Sequence, residues 1–252
     1  MIIKLPANKK IYIASDQHLG IPNHKDSLQR EKKFVGWLET IRQDAHMLIL
    51  LGDLFDFWFE YKRVVPKGFV RILGKLAELR DAGITIHFFV GNHDLWMRDY
   101  FEKELDIRVF YAPQEYQINE HLFLMGHGDG LGPGDTGYKR MKKVFTNPIS
   151  KWLYRWLHPD LGLKLGNYLS TKNKLISGDE DAKFLGEDNE WLVHYCKRKL
   201  KEKPYNYFLF GHRHLPMTIP LSEKSTYINT GDWISHFTYA VYDGQITSLK
   251  NA

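Results

Sequence analysis

Short apolar runs rich in β-branched and aromatic residues recur along the chain, at 11–14, 47–51, 84–90, 122–125, 207–210, 227–228 and 239–242. Near-continuous apolar runs of this length suit strands that are covered on both faces. Between the first three lie patterns of helical period at 27–42 and 68–81, the second closed by Gly83 as a C-cap. Alternating strand and helix predict an α/β fold, a layered mixed β-sheet core flanked by helices. The later strands, divided by turn signals such as Asp243-Gly244, read as antiparallel. From 134 to 186 the strand rhythm stops, and a basic stretch rich in Trp, Tyr and Leu with helical character takes its place. The pattern therefore divides the chain into a core, 1–133 and 187–252, and a helical insertion, 134–186, that covers it as a lid. A helical pattern at 187–203 leads back to the strand ending at Phe210.

Polar chemistry collects directly after the apolar runs. Asp16-Gln17-His18 follows the first, Gly52-Asp53-Leu54-Phe55-Asp56 the second and Gly91-Asn92-His93-Asp94 the third; Gly126-His127-Gly128-Asp129 and Gly211-His212-Arg213-His214 follow later ones. Ligands in α/β folds bind beyond the carboxyl ends of strands, so five such loops are expected to converge on one site. Mixed nitrogen and oxygen donors suit divalent transition metals, and a pair of ions about 3.5–4 Å apart can clamp both the attacking and the leaving oxygen of a phosphoryl displacement. With thiolates absent from these loops, Mn, Fe or Zn fits better than an iron–sulfur cluster. Taken alone, a pair such as His212 and His214 is more often structural than ligating. Asp94 and Asp129 leave two readings open: a part in the site, or acceptance of backbone donors in tight turns.

The ordered set of loops resembles the calcineurin-like metallophosphoesterase family, whose pattern is D-x-H, G-D-x-x-D, G-N-H-D/E, a later H and G-H-x-H. All five elements stand here in that order across most of the chain. The resemblance implies two divalent ions, Mn²⁺ being expected and Fe or Zn fitting the same donors. It assigns Asp16, His18, Asp53 and His214 to one ion, and Asp53, Asn92, His127 and His212 to the other, with Asp53 bridging. It further implies that a bridging water attacks phosphorus, that His93 protonates or stabilises the leaving oxygen, and that Asp56 orients His93.

Within that family the sequence is similar to the bacterial UDP-2,3-diacylglucosamine diphosphatases of lipid A biosynthesis. The likeness rests on Gly52-Asp53-Leu54-Phe55-Asp56-Phe57-Trp58, on His127-Gly128-Asp129-Gly130-Leu131 followed by Asp135-Thr136-Gly137-Tyr138, and on a helical insertion at the same place. It implies that the pyrophosphate bond of a UDP-linked lipid is hydrolysed, and that Asn92, Asp135 and Tyr138 lie against the substrate. Better-known proteobacterial members carry Arg where this chain has His93. Arginine supplies a fixed charge, whereas histidine supplies a charge and a transferable proton.

The formal charge of +5 matters for where it sits. Between Lys139 and Lys174 nine Lys and Arg face the lone acid Asp160, so this stretch holds +8 and the rest of the chain −3. Phe145, Ile149, Trp152, Leu153, Trp156 and Leu157 fall near helical spacings among Lys142, Lys143, Lys151 and Arg155. That is the composition of an interfacial amphipathic element facing an anionic membrane, although such aromatics can equally pack an insertion onto its core. A basic lid can also hold a nucleotide diphosphate, with Lys172 and Lys174 as candidate contacts. No nucleic-acid module is recognisable, and nucleic acid is not an expected partner.

The single cysteine, Cys196, excludes an internal disulfide framework, and no run approaches the roughly 18 apolar residues of a spanning helix. The start of the chain lacks the apolar stretch of a signal peptide. A cytoplasmic protein held peripherally at the inner face of the cytoplasmic membrane is therefore expected. Competing readings are another phosphodiesterase or nucleotidase of the same family, and a metal-free interaction scaffold. The scaffold has no need of a full ligand set, and here every position of the set is filled.

Overall fold

Two six-stranded sheets face each other in a computed structural model that describes residues 1–132, 136–181, 184, 186–187 and 189–252, without the side chains of 136 and 171–181. In chain order the elements are β1 (Ile2–Ile3), β2 (Lys10–Ala14), α1 (His24–Ile41), β3 (Ala45–Leu50), α2 (Val70–Asp81), β4 (Thr85–Phe89), α3 (Tyr100–Glu104), β5 (Arg108–Phe110), β6 (Gln114–Ile118) and β7 (His121–Gly126). There follow α4 (Thr136–Thr146), α5 (Pro148–Tyr154), α6 (Pro159–Asp181), α7 (Trp191–Leu200), β8 (Tyr207–Phe210), β9 (Pro216–Ser222), β10 (Ser225–Thr230), β11 (Thr238–Tyr242) and β12 (Thr247–Asn251).

One sheet runs β12-β11-β2-β3-β4-β5 and the other β1-β6-β7-β8-β10-β9. Every second residue of a strand points to the same side. Ile11, Ile13, Met47 and Ile49 thus meet Phe123, Met125, Leu209 and Ile228 in a core between the sheets. The opposite side chains of the first sheet, Ala14, Leu48, Leu50 and Phe88, are covered by Phe34, Trp37 and Leu38 of α1 and by Ile72, Leu76 and Leu79 of α2. On the far side, Leu192, Val193 and Cys196 of α7 cover Phe208, Phe210 and Tyr227. Burial on both faces is why the strands read as unbroken apolar runs rather than alternating ones.

All seven expected strands form, and both early helices lie within a few residues of their expected bounds, with Gly83 past α2 at φ 85°. The helix expected at 187–203 is shorter at both ends. The antiparallel expectation holds for β9–β10 and for β11–β12 around Asp243-Gly244, but β8 pairs parallel with both β7 and β10. β8 returns parallel to β7 because α4–α7 form a long crossover between them, and β10 runs with β8 because the intervening β9 is antiparallel to β10.

The parallel strands β2, β3 and β4 of one sheet and β7 and β8 of the other end near one another, and their carboxyl-end loops carry the polar motifs. No described helix is long and apolar enough to cross a membrane.

Candidate metal centre

The loops after these five strands are laced together before any side chain takes part. Asp16 N donates to Gly52 O at 3.0 Å, His18 N to Asp53 O at 2.9 Å and Gly211 N to His127 O at 2.9 Å. Asp16, His18, Asp53, His212 and His214 all hold positive φ, from 44° to 69°. Such backbone costs about 1–3 kcal/mol per residue outside glycine, so local strain is concentrated at these loops. Close approach also fixes a glycine: a Cβ on Gly91 would stand 2.1 Å from Asp53 Oδ1, so only glycine lets the third loop pass the second.

Among the described residues two candidate ligand groups share Asp53, and His18, Asp56 and His93 form a third cluster beside them. Asp16, His18, Asp53 and His214 offer one atom each, all within 4.8 Å of one another, and so do Asp53, His127 and His212. Asn92 completes the second group, its Oδ1 lying 2.9 Å from His127 Nε2 and 2.8 Å from His212 Nδ1. These are the two sets expected from the sequence, and Asp53 is common to both.

The residues fit divalent cations on their own geometry. Asp16 is fully buried, and its Oδ1 has no hydrogen-bond partner while lying 3.3 Å from His214 Nε2. The Nε2 atoms of His18 and His214 face each other at 3.1 Å. His127 Nδ1 donates to Leu51 O at 2.7 Å, which turns its Nε2 toward Asn92 Oδ1 and toward Asp53 Oδ2 at 3.3 Å. Burial alone would lower the His127 pKa, but the Asp53 carboxylate prevails and raises it to about 10. Asp16 is held well below the usual carboxylate range, because the pull of His214 and His18 overcomes its burial.

His93 and Asp56 lie beside the first group. His93 N donates to Asp53 Oδ1 at 2.9 Å, and His93 Nδ1 is 3.0 Å from Asp56 O. The Asp56 carboxylate is nearer to His18 than to His93: its Oδ1 lies 3.2 Å from His18 Nδ1 and 3.5 Å from His93 Nδ1. Asp94 resolves toward a backbone role. Its Oδ1 accepts from Gly91 N at 2.6 Å and its Oδ2 from Leu54 N at 3.1 Å, while burial and the nearby Asp53 charge push its carboxyl up to about 8. Asp129 accepts from Tyr138 Oη at 2.5 Å and from Lys142 Nζ, tying the fourth loop to α4. Tyr138 thus stands close to the centre. Asp135 and the side chains of Lys172 and Lys174 lie outside the described residues.

Several supporting residues are absent from the sequence reading. Asp232 lies 3.6 Å from His214 Nδ1 and follows β10 in Gly231-Asp232, the same position after a strand that marks the other loops. Glu190 holds Arg213 through two 3.1 Å contacts, both side chains nearly fully buried. Ser170 of α6 reaches His93 Nδ1 at 2.8 Å. Nothing local in the sequence marks either of these, because each partner is distant along the chain.

Residues 9–216 match the family model described as calcineurin-like phosphoesterase. The chain belongs to that family. It is accordingly a metal-dependent hydrolase of the phosphoester class. A protein from Porphyromonas gingivalis named UDP-2,3-diacylglucosamine hydrolase is 38% identical over 256 residues, covering 96% of this chain and 97% of that one. Proteins of the same name from Ectopseudomonas mendocina and Haemophilus influenzae are each 27% identical, over 88% and 91% of this chain and 90% and 92% of their own lengths.

Proposed function

We propose that this enzyme hydrolyses the pyrophosphate bond of UDP-2,3-diacylglucosamine, giving UMP and 2,3-diacylglucosamine 1-phosphate in lipid A biosynthesis. The observation that carries this reading is the end-to-end likeness to the Porphyromonas gingivalis hydrolase, which spans the helical segment as well as the metal loops. Asp16, His18, Asp53 and His214 would hold one divalent ion, and Asp53, Asn92, His127 and His212 a second; Mn²⁺ is our choice, with Fe and Zn suited to the same donors. Bound there, such ions supply positive charge to phosphoryl oxygens and lower the pKa of an attacking water. His93, held at Nδ1, would act through Nε2 to protonate or stabilise the leaving oxygen. Asn92, Asp135, Tyr138, Lys172 and Lys174 would receive the nucleotide and sugar phosphate.

Segment 134–186 acts in this reading as a lid for the acyl chains and as the contact with an anionic membrane, at the inner face of the cytoplasmic membrane. Val144, Ile149, Trp152, Leu153, Trp156, Leu161 and Leu165 are all exposed on α4–α6 and the turn after α5, among Lys and Arg. An apolar surface rimmed by cations suits a lipid with a charged head. The test is a product assay with purified protein, Mn²⁺ and UDP-2,3-diacylglucosamine. Stoichiometric UMP is expected. Intact substrate alongside hydrolysis of a simple diester would remove the substrate assignment and keep the family chemistry.

A further inference from the structure

The direct link from the Asp56 carboxylate to His93 is long, and a residue of the insertion closes it. Ser170 stands on α6 and is buried, 8% exposed. Its Oγ lies 2.8 Å from His93 Nδ1, 2.7 Å from Asp56 Oδ2 and 3.0 Å from Asp56 O. The Asp56 carbonyl can only accept, so the 3.0 Å contact from His93 places a hydrogen on Nδ1. That hydrogen is then shared between Asp56 O and Ser170 Oγ, and the serine hydroxyl gives its own hydrogen to Asp56 Oδ2. The chain of contacts is Nδ1–H to Oγ, then Oγ–H to carboxylate. It does what the 3.5 Å carboxylate–imidazole approach does poorly.

The helix is set for this contact by small residues. Gly162, Gly166 and Ser170 recur every fourth position and are all buried. A Cβ on Gly166 would meet the Phe57 ring at 2.1 Å, and one on Gly162 would meet Tyr61 Oη at 2.0 Å. The backbone of α6 therefore lies directly against the loop that contains Asp56, and Ser170 arrives at its far end.

We propose that Ser170 is a positioning residue for His93, so that docking of α6 completes the hydrolytic site. The inference rests on the reading that His93 acts on the leaving oxygen. Ser170 would touch neither phosphate nor metal; it holds the imidazole so that Nε2 meets the substrate. The docked position of the helix and the competence of the centre are then one event, and the core with α6 displaced is a poor catalyst even with its ligand set intact.

Four variants test this: Ser170→Ala, Ser170→Thr, His93→Ala and the Ser170→Ala/His93→Ala pair, each assayed for kcat, KM, metal content and thermal midpoint. Loss of one positioning hydrogen bond predicts a kcat about 10-fold lower for Ser170→Ala, with KM and metal content little changed. Ser170→Thr keeps the hydroxyl and restores most of the rate, and it decides the matter if the alanine variant is poorly folded. In the His93→Ala background the serine change has no further effect, since both act through one group. Without metal, diethyl pyrocarbonate modifies His93 faster in Ser170→Ala, read on its own peptide by mass spectrometry. Unchanged kcat in Ser170→Ala, or losses that multiply in the double variant, would overturn the inference while leaving His93 in its role. A neutral His93→Ala would overturn both.

Discussion

Helices α1 and α6 are both long, 18 and 23 residues, and they turn opposite kinds of side chain inward. Helix α1 buries Phe34, Trp37, Leu38 and Ile41 against the sheet. Helix α6 buries Gly162, Gly166 and Ser170 and leaves Leu161, Leu165, Tyr168 and Leu169 exposed. The same inversion separates the tryptophans. Trp58 and Trp233 are fully buried, whereas Trp152 and Trp156 are 54% and 75% exposed, with ring centroids 5.8 Å apart. Over its described side chains, a helix that hides Gly162 and Gly166 and exposes Leu161, Leu165 and Leu169 adds little to the core of its own chain. Those leucines are exposed, while the small side lets the backbone come close to the chemistry.

The comparison fails first if the core does not carry the chemistry. Asp53→Asn is expected to abolish turnover and to weaken both metals, because a neutral amide replaces the carboxylate shared by the two ligand groups. Metal analysis together with a diesterase assay checks this, and a near-normal rate with normal metal content would end the two-ion reading. Next in size, His93→Ala should lower kcat by about 10²–10⁴-fold while sparing metal content. Were metal lost in step with rate, His93 would be a ligand, in keeping with its place beside His18 and Asp56.

Stability sharpens the contrast further. Trp58 stacks on Phe55 at 4.3 Å between ring centroids, and its Nε1 donates to Glu60 at 3.0 Å, so Trp58→Ala should cost about 3–5 kcal/mol. Trp156→Ala removes an exposed ring and should shift stability by no more than about 0.5 kcal/mol. Chemical denaturation of the two variants reads the difference. Equal losses would mean that the insertion is as firmly packed as the core.

The legibility of the sequence follows the same division. The metal loops could be read because each follows a strand buried on both faces, which marks its end by an abrupt change from apolar to polar. Short or partly exposed strands left no such mark: β5 has three residues, and β9 and β12 expose much of their length. The family resemblance carried by the motif loops implied a shared Asp53, but not the contacts that orient the side chains. Ser170 meets Asp56 across 114 positions and Glu190 meets Arg213 across 23, and neither pairing has a local signature. Asp232 was within reach, since it follows β10 as Asp53 follows β3. The inward glycines of α6 were also hidden, because a helical period built on small residues carries no hydrophobic signal.

The most direct test of the division between core and insertion is a ratio measured on a single variant. Trp152→Ser/Trp156→Ser is compared with the unaltered protein for kcat/KM on UDP-2,3-diacylglucosamine and on bis-p-nitrophenyl phosphate, with vesicle binding alongside. Remote contacts with acyl chains serve only the lipid substrate, so its kcat/KM and vesicle binding should fall several-fold while the small diester is hydrolysed as before. Equal loss on both substrates would make the insertion a structural part of the core. No loss on either would contradict a lipid-facing role.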